Sequence, residues 1–269
     1  MGGVTTGNGQ GRILAIFDLD KTIIDTSASM AYGRPLAERG LIGTPDVLRM
    51  MALLGNYMLT THTEQNMNAT KDALLGMIRD REESALRDVA QDALQDVITP
   101  YIYAEARALI EEHQQQGHHV AIVTASPSVI VEPIARELGA DLLVATELEV
   151  ADGLFTGGVA HFNKGQAKVD KLKVLALENG YDLDKSYAYS DSFTDLPMLH
   201  LVGNPHAVNP DRPLRKYATE QGWPIQRFVK PEPLFAQGAV LAGAGATLAL
   251  LSAVAAGLAM WFRFREDDA

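Results

Sequence analysis

The sequence predicts an α/β protein: a doubly wound, mostly parallel sheet with an inserted helical cap and a C-terminal transmembrane helix. Three observations carry this reading. Apolar runs of strand length alternate with helical ones; a long stretch after the first strand contains no strand; and an uncharged apolar segment lies near the C-terminus.

The strand candidates are Ile13–Phe17, Val120–Val123, Asp141–Ala145, Ser186–Tyr189, His206–Val208 and Ile225–Phe228. Helical runs between most of them argue for a parallel sheet covered on both faces. Thr99-Pro100 is expected to open a helix that closes at Gly117, and Ser126-Pro127 another that closes near Gly139, with Pro133 inside it. A third helix is expected from about Gly165 to Gly180, with Val169, Leu172, Leu175 and Ala176 at helical spacing. Asp152-Gly153 separates two apolar runs in "LEVADGLFTGGVA" and signals a hairpin.

The expected domain plan has a disordered, Gly-rich lead-in over 1–11, without the charged and apolar regions of a signal peptide. A core is built from 12–28 and 99–230, with the helical cap inserted at 29–98. A linker, 231–237, leads to the segment 238–262, followed by a tail, 263–269. As a helix, 238–262 would be about 37 Å long, enough to cross a hydrocarbon core of about 30 Å. Trp261, Phe262, Arg263 and Arg265 border it as at a membrane interface. The expectation is a tail-anchored protein at the cell membrane, its catalytic domain on the cytoplasmic side. The other reading of the segment is an Ala/Gly-rich helix buried against the domain or a partner chain. Small residues four apart, such as Ala253 and Gly257, would also allow a homodimer.

A formal charge of −11, with no basic block, argues against a nucleic-acid partner. The absence of cysteine excludes disulfides and thiolate metal sites.

The polar clusters fall at predicted strand ends, where open parallel sheets bind ligands. Asp18, Asp20 and Thr22 follow the first strand, Thr124-Ala125-Ser126 follows "VAIV", and Asp191 and Asp195 follow "SYAY". Lys164 precedes the third helix. Like charges crowded on one edge are tolerable around a hard cation, and Mg²⁺ needs only one or two carboxylates beside water and substrate phosphate. Lys164 adds positive charge, and Thr124 with the following helix start suits a phosphate. A carboxylate beside such a phosphate can attack phosphorus, and a second can serve as acid and then base. His118-His119 is read as a turn before a buried strand, and His161 and His206 as packing or supporting residues. In the cap, Tyr32, Arg34, Arg39, Arg49 and His62 are candidate substrate contacts.

"DLDKT", "VAIVTAS", Lys164 in "NKGQAK" and "SDSFTD" resemble the four motifs of the haloacid dehalogenase superfamily of phosphohydrolases, over roughly Arg12 to Phe228. The cap position is similar to that of the phosphoserine-phosphatase-like branch, subfamily IB. The resemblance implies Asp18 as nucleophile and Asp20 as general acid/base. Asp18, the Asp20 backbone carbonyl and Asp191 would hold Mg²⁺; Thr124, Ala125 and Lys164 would bind the phosphate; Thr22 and Asp195 would support them. Three positions depart from the phosphoserine phosphatase pattern. Ser27 stands where a Glu is usual, Ala125-Ser126 where Gly-Gly is usual, and Thr194 where Asn is usual. These leave phosphoryl chemistry intact and speak against phosphoserine as substrate. The expected activity is a phosphomonoesterase acting through an aspartyl-phosphate on a small phosphorylated metabolite, an amino-alcohol phosphate or a lipid-linked phosphate among the options. The alternatives are a phosphotransferase or mutase with the same nucleophile, a receiver-type signalling module, and a membrane-tethered binding protein without turnover.

Overall fold

The computed structural model describes residues 11–43 and 75–229. Its elements run β1 (Leu14–Phe17), α1 (Ala28–Ala31), α2 (Gly33–Glu38), α3 (Glu83–Asp92), a π turn (Leu94–Ile98) and a 3-10 turn (Thr99–Tyr101). Then come α4 (Ala104–Gln115), β2 (His119–Pro127), α5 (Ser128–Glu137), β3 (Leu142–Ala151), β4 (Leu154–His161) and α6 (Gln166–Asn179). The chain continues with β5 (Tyr187–Ser190), a 3-10 turn (Phe193–Asp195), α7 (Leu196–Leu199), β6 (Asn204–Val208), α8 (Arg212–Gln221) and β7 (Ile225–Gln226).

The sheet order is β4-β3-β2-β1-β5-β6-β7, and every pairing is parallel except β3 with β4. The period-2 pattern of the central strands shows why both faces are covered. Ala15, Phe17, Val120, Ile122 and Tyr189 join one apolar cluster, with Ala106 and Ile110 of α4, Ile130 and Ile134 of α5, and Leu86 and Ala90 of α3. Leu14, Ile16, Ala121, Val123 and Ala188 point the other way, onto Leu172 and Ala176 of α6, Leu199 of α7 and Leu214 of α8. Each fully buried side chain of Leu, Ile or Phe type contributes about 1.5–3 kcal/mol.

The hairpin expected at Asp152-Gly153 joins β3 to β4, with φ of 51° and 79° at the two residues, the left-handed pair that a two-residue turn requires. Gly180 closes α6 at φ 69°, its N–H on Ala176 O. Two helix starts differ from expectation. After the 3-10 turn the chain runs extended, because Tyr101, Ile102 and Tyr103 pair with Ile23, Ile24 and Asp25, so α4 begins only at Ala104. Ser126 and Pro127 belong to β2, where Pro127 pairs with Thr146, and α5 begins at Ser128.

The cap expected at 29–98 is helical where it is described, through α1, α2, α3 and helical residues 75–78, and 44–74 lie outside the described residues. Its returning limb is tied to the hairpin. Asp80 N–H donates to Phe155 O, Phe155 N–H to Arg81 O and Glu83 N–H to Gly153 O, at 2.8–3.0 Å. Arg87 of α3 also pairs with Glu132 of α5.

The expected membrane span, 238–262, lies outside the described residues. Among the described residues no helix is long and apolar enough to cross a membrane. The structure thus does not bear out a tail-anchored location at the cell membrane.

Candidate active site

β1 lies where the connections reverse: β2, β3 and β4 follow on one side of it, and β5, β6 and β7 on the other. Such a switch point opens a crevice beyond the carboxyl ends of the strands. Asp18 enters that crevice directly after β1, and its N–H extends the ladder to Tyr189 O at 2.9 Å. The chain then bends sharply. Lys21 adopts a φ of 61°, and the N–H groups of Thr22, Ile23 and Ile24 converge on Leu19 O.

Across the crevice, Asp191 follows β5. Thr22, fully buried, accepts from Asp191 N–H at 3.1 Å and places its hydroxyl 3.5 Å from Asp191 Oδ1. Ser192 caps the 3-10 turn through Thr194 N–H, which carries Asp195 into the interior. Asp211 secures the same loop: its N–H donates to Asp191 O, and its carboxylate accepts from Phe193 N–H and caps α8 at Leu214 N–H.

A buried cation on this edge is Lys168. Its Nζ, on a side chain 3% exposed, donates to Asp18 Oδ1 at 2.8 Å and to both oxygens of Asp195 at 2.9 and 3.0 Å. Ser190 Oγ donates to Asp195 Oδ2 at 2.9 Å. The sequence reading chose Lys164; the lysine bonded to Asp18 is Lys168, one helical turn later. Lys164 is half-buried, with its ammonium disfavoured by burial and favoured by Asp195. The signal for Lys168 was present in the sequence: it stands four residues before Leu172 and eight before Ala176, on the buried stripe of α6.

The third group of residues lies in the last part of β2, where its pairing with β3 shifts register. Thr124 is buried, and Ser126 N–H donates to its hydroxyl oxygen at 3.0 Å, which leaves the hydroxyl proton for another acceptor. Two residues missed by sequence reasoning brace this backbone. Thr146 Oγ1 donates to Ala125 O at 2.7 Å, while the fully buried Asn163 donates from Nδ2 to both Thr124 O and Val144 O at 2.8 Å. Asn163 sits beside Lys164 in "FNKG", but nothing in its spacing marks it.

Asp20 is held from two sides. Ala28 N–H, at the start of α1, donates to Oδ1 at 2.8 Å, and Ser126 Oγ donates to Oδ2 at 2.9 Å. Of the candidate cap contacts, Tyr32 is buried and donates to Ala90 O, Arg34 pairs with Glu38 and Arg39 with Asp92; Arg49 and His62 lie outside the described residues. His206 packs on Tyr189, and His118 and His119 face different partners, His113 and Tyr181.

The electrostatics are one-sided. Burial raises the Asp18 carboxyl well above the usual carboxylate range, against the pull of the Lys168 ammonium. Burial raises Asp20 as well, and pushes Asp191 up to about 7. Burial would lower Lys168, but Asp18 and Asp195 outweigh it and hold the ammonium above the ordinary lysine range. Asp18, Asp20 and Asp195 thus share the buried Lys168 ammonium, and Asp191 has the charge of Lys21 beside it, an arrangement that a divalent cation would relieve. The described residues bring no three carboxylate or imidazole groups together as a cage. The fit is to a hard cation that takes one or two carboxylates, a backbone carbonyl and water, as Mg²⁺ does.

Comparison with known proteins agrees with this architecture. Residues 15–200 match the family model of haloacid dehalogenase-like hydrolases. The chain is 42% identical to the inhibition of morphological differentiation protein of Streptomyces azureus, over 82% of this chain and 80% of that protein. It is 41% identical to a probable phosphatase of Mycobacterium tuberculosis, over 83% and 78%. Identity to a phosphoserine phosphatase of Mycobacterium tuberculosis is 34%, over 80% and 70%. Among solved structures, a protein of unknown function from Bordetella pertussis superposes with a TM-score of 0.71 at 30% identity, covering 81% of this chain and 99% of the other. The chain belongs to the haloacid dehalogenase-like hydrolase family, among relatives named as phosphatases.

Proposed function

We propose that this hydrolase of phosphoric monoesters is Mg²⁺-dependent, works through an aspartyl-phosphate on Asp18, and acts on a small phosphorylated metabolite. The observation that carries the reading is the contact between Lys168 and Asp18. The ammonium engages only Oδ1 of a buried carboxylate at the sheet switch point, so a charged oxygen is held in place where a phosphoryl group can enter.

In the first step an Asp18 oxygen forms a bond to phosphorus and the ester P–O bond breaks. The departing oxygen takes the proton of Asp20 and leaves as an alcohol. In the second step water gives a proton to Asp20 as its oxygen attacks phosphorus, and the acyl-phosphate P–O bond breaks, returning the Asp18 carboxylate and inorganic phosphate. Thr124, with its hydroxyl proton available, and the N–H of Ala125 are the proposed ligands of the phosphoryl oxygens, and Lys168 offsets their charge. Asp18, Asp191 and the Asp20 carbonyl are the groups that would hold Mg²⁺, which supplies positive charge against the transferring phosphoryl group when bound.

The substrate follows from the cap more than from the core. Ser27 heads α1 where phosphoserine phosphatases usually carry a Glu, which favours a phosphate ester other than phosphoserine. The test is a panel of phosphorylated alcohols, amino alcohols and lipids assayed for phosphate release by the full chain with Mg²⁺. Phosphate release that stops on chelation supports the reading; no release from any ester refutes it. Adding competing alcohols separates hydrolysis from phosphotransfer, because a transferase would form new esters in place of phosphate.

A further inference from the structure

The geometry points to Ser126 as the positioning residue that aims Asp20 at the leaving oxygen of the substrate. The inference rests on the phosphatase reading above. Asp20 follows β1 by three residues, in the tight turn around Lys21, so its backbone is fixed but its side chain is free to rotate unless something holds it. Two donors hold it, one on each oxygen: Ala28 N–H on Oδ1 and Ser126 Oγ on Oδ2. One donor would fix a point; two fix the plane of the carboxyl group.

The ordinary uses of a serine at this place do not account for Ser126. It does not cap α5, since Pro127 is the residue at the cap and no side-chain bond closes that end. Its hydroxyl proton is engaged by Asp20 and so is not offered to a phosphoryl oxygen. It is 5% exposed, so its hydroxyl is not merely solvated. Because that proton is engaged, the 3.4 Å contact between Ser126 Oγ and Ser29 Oγ has Ser29 as donor, which completes a chain Ser29, Ser126, Asp20 from the cap side to the acid. The same residue sends its N–H to Thr124 Oγ1. Ser126 thereby ties the hydroxyl proposed to grip the phosphoryl group to the carboxyl group proposed to protonate the leaving oxygen, in one rigid step along β2.

In the reaction, the Asp18–phosphorus bond forms while the phosphorus–oxygen ester bond breaks and the Asp20 proton moves to the departing oxygen. The need for that proton grows with the basicity of the leaving group. A misaimed Asp20 therefore penalises a poor leaving group and spares a good one.

The experiment compares kcat/KM for phenyl phosphate and p-nitrophenyl phosphate, with Mg²⁺, in the wild type, Ser126→Ala and Ser126→Thr. The two esters share a shape, but phenol, with a pKa of about 10, is much the poorer leaving group. Ser126→Ala is expected to lose about ten-fold more activity on phenyl phosphate than on p-nitrophenyl phosphate, a share of the 10²–10⁴-fold that general acid catalysis supplies. Ser126→Thr, which keeps the hydroxyl, should restore the ratio. Equal losses on both esters, or no loss, would overturn the positioning role while leaving the phosphatase reading intact. A wild type that hydrolyses neither ester overturns the phosphatase reading and this inference with it.

Discussion

At the carboxyl ends of β1 and β5, Asp18 and Asp195 bind one buried ammonium, that of Lys168, and Asp191 carries the influence of Lys21 and Asp195. Just before these residues on the same strands, Phe17 stacks on Tyr189 at 4.5 Å, and a set of histidines closes around that pair. His113 bonds Tyr189 Oη through Nε2 at 2.9 Å and His118 through Nδ1 at 2.8 Å, while the ring of His206 lies 4.8 Å from Tyr189. Both clusters are buried and polar, but they solve burial differently. In the aromatic cluster the hydrogen bonds run through His113, which burial pushes down to about 4 so that it stays uncharged. In the strand-end cluster burial raises the carboxyl groups against the pull of the nearby lysines, and a bound cation would relieve them. The difference locates function: a satisfied neutral network within a strand is packing, whereas an unbalanced charged one beyond its end is a site.

The largest effect expected from this contrast is a double dissociation. Asp18→Asn should lower turnover by about 10³-fold or more, with little change in melting temperature. His113→Phe should keep kcat/KM within a few-fold but lose about 1–3 kcal/mol of stability, because the Tyr189 hydroxyl is left buried without its partner. Steady-state kinetics and urea melts on both variants measure the two columns. If His113→Phe abolishes turnover with the fold intact, the division between the clusters fails.

The two lysines sharpen it further. Lys168→Met should cost about 10²–10³-fold in kcat/KM, the scale of a lost electrostatic stabiliser, and should also destabilise the apoprotein by leaving two buried carboxylates without their cation. Lys164→Met should cost less than about ten-fold, since Lys168 is the lysine that donates to Asp18 and the Lys164 charge bears on Asp195. A larger loss from Lys164 would return the role to the residue chosen from the sequence.

That exchange of lysines shows what the sequence made legible. The alternation of strands and helices, the Asp-Gly hairpin and the strand-end positions of Asp18 and Asp191 follow from local patterns, and the structure has them in those places, whereas Thr124 lies inside β2, which runs on to Pro127. Lys164 stands out in the sequence as a charged residue in a loop before a helix, whereas a lysine inside an amphipathic helix, as Lys168 is, is ordinarily solvated. Only the register with Leu172 and Ala176 distinguishes it. Thr146 and Asn163 carried no local mark at all. They matter because β3 and the strand end after β4 fold back beside Thr124 and Ala125, a relation fixed by topology and not by neighbours in the chain. The start of α4 shifted for the same reason, because pairing with Ile23–Asp25 overrode the helix signal of Thr99-Pro100.

A smaller effect tests the strand-end cluster itself. Mg²⁺ should raise the melting temperature, by the equivalent of about 2–3 kcal/mol at a hundred-fold excess over its Kd. The gain should be larger at pH 8 than at pH 5.5. Asp191 has its carboxyl pushed up to about 7, so below that pH a proton competes with the cation for it. A Mg²⁺ effect independent of pH would remove Asp191 from the proposed metal ligands.

The smallest effect belongs to the neutral cluster and is a slope rather than a loss. His113 has an ordinary value of 6.5 and a folded value of about 4, so between these the unfolded chain binds more protons than the native one. Its contribution is complete above pH 6.5 and is lost as pH falls from 6.5 towards 4, by at most about 3 kcal/mol. Asp191 acts in the opposite sense across much of this range, since a carboxyl whose folded value is raised to about 7 favours the native state at low pH and loses that contribution as pH rises. The two slopes partly cancel in the wild type, which is why the informative quantity is the difference between wild type and His113→Phe. That difference removes Asp191 and every other common group. Urea melts at half-unit steps from pH 4 to 8 should show the stability gap between the two proteins shrinking as pH falls below 6.5. A gap that stays constant over this range would mean that His113 is protonated as readily in the fold as outside it. Burial of the imidazole opposes that, and the Nδ1-to-Nδ1 bond with His118 bars both rings from being imidazolium at once, because one of them must present a lone pair.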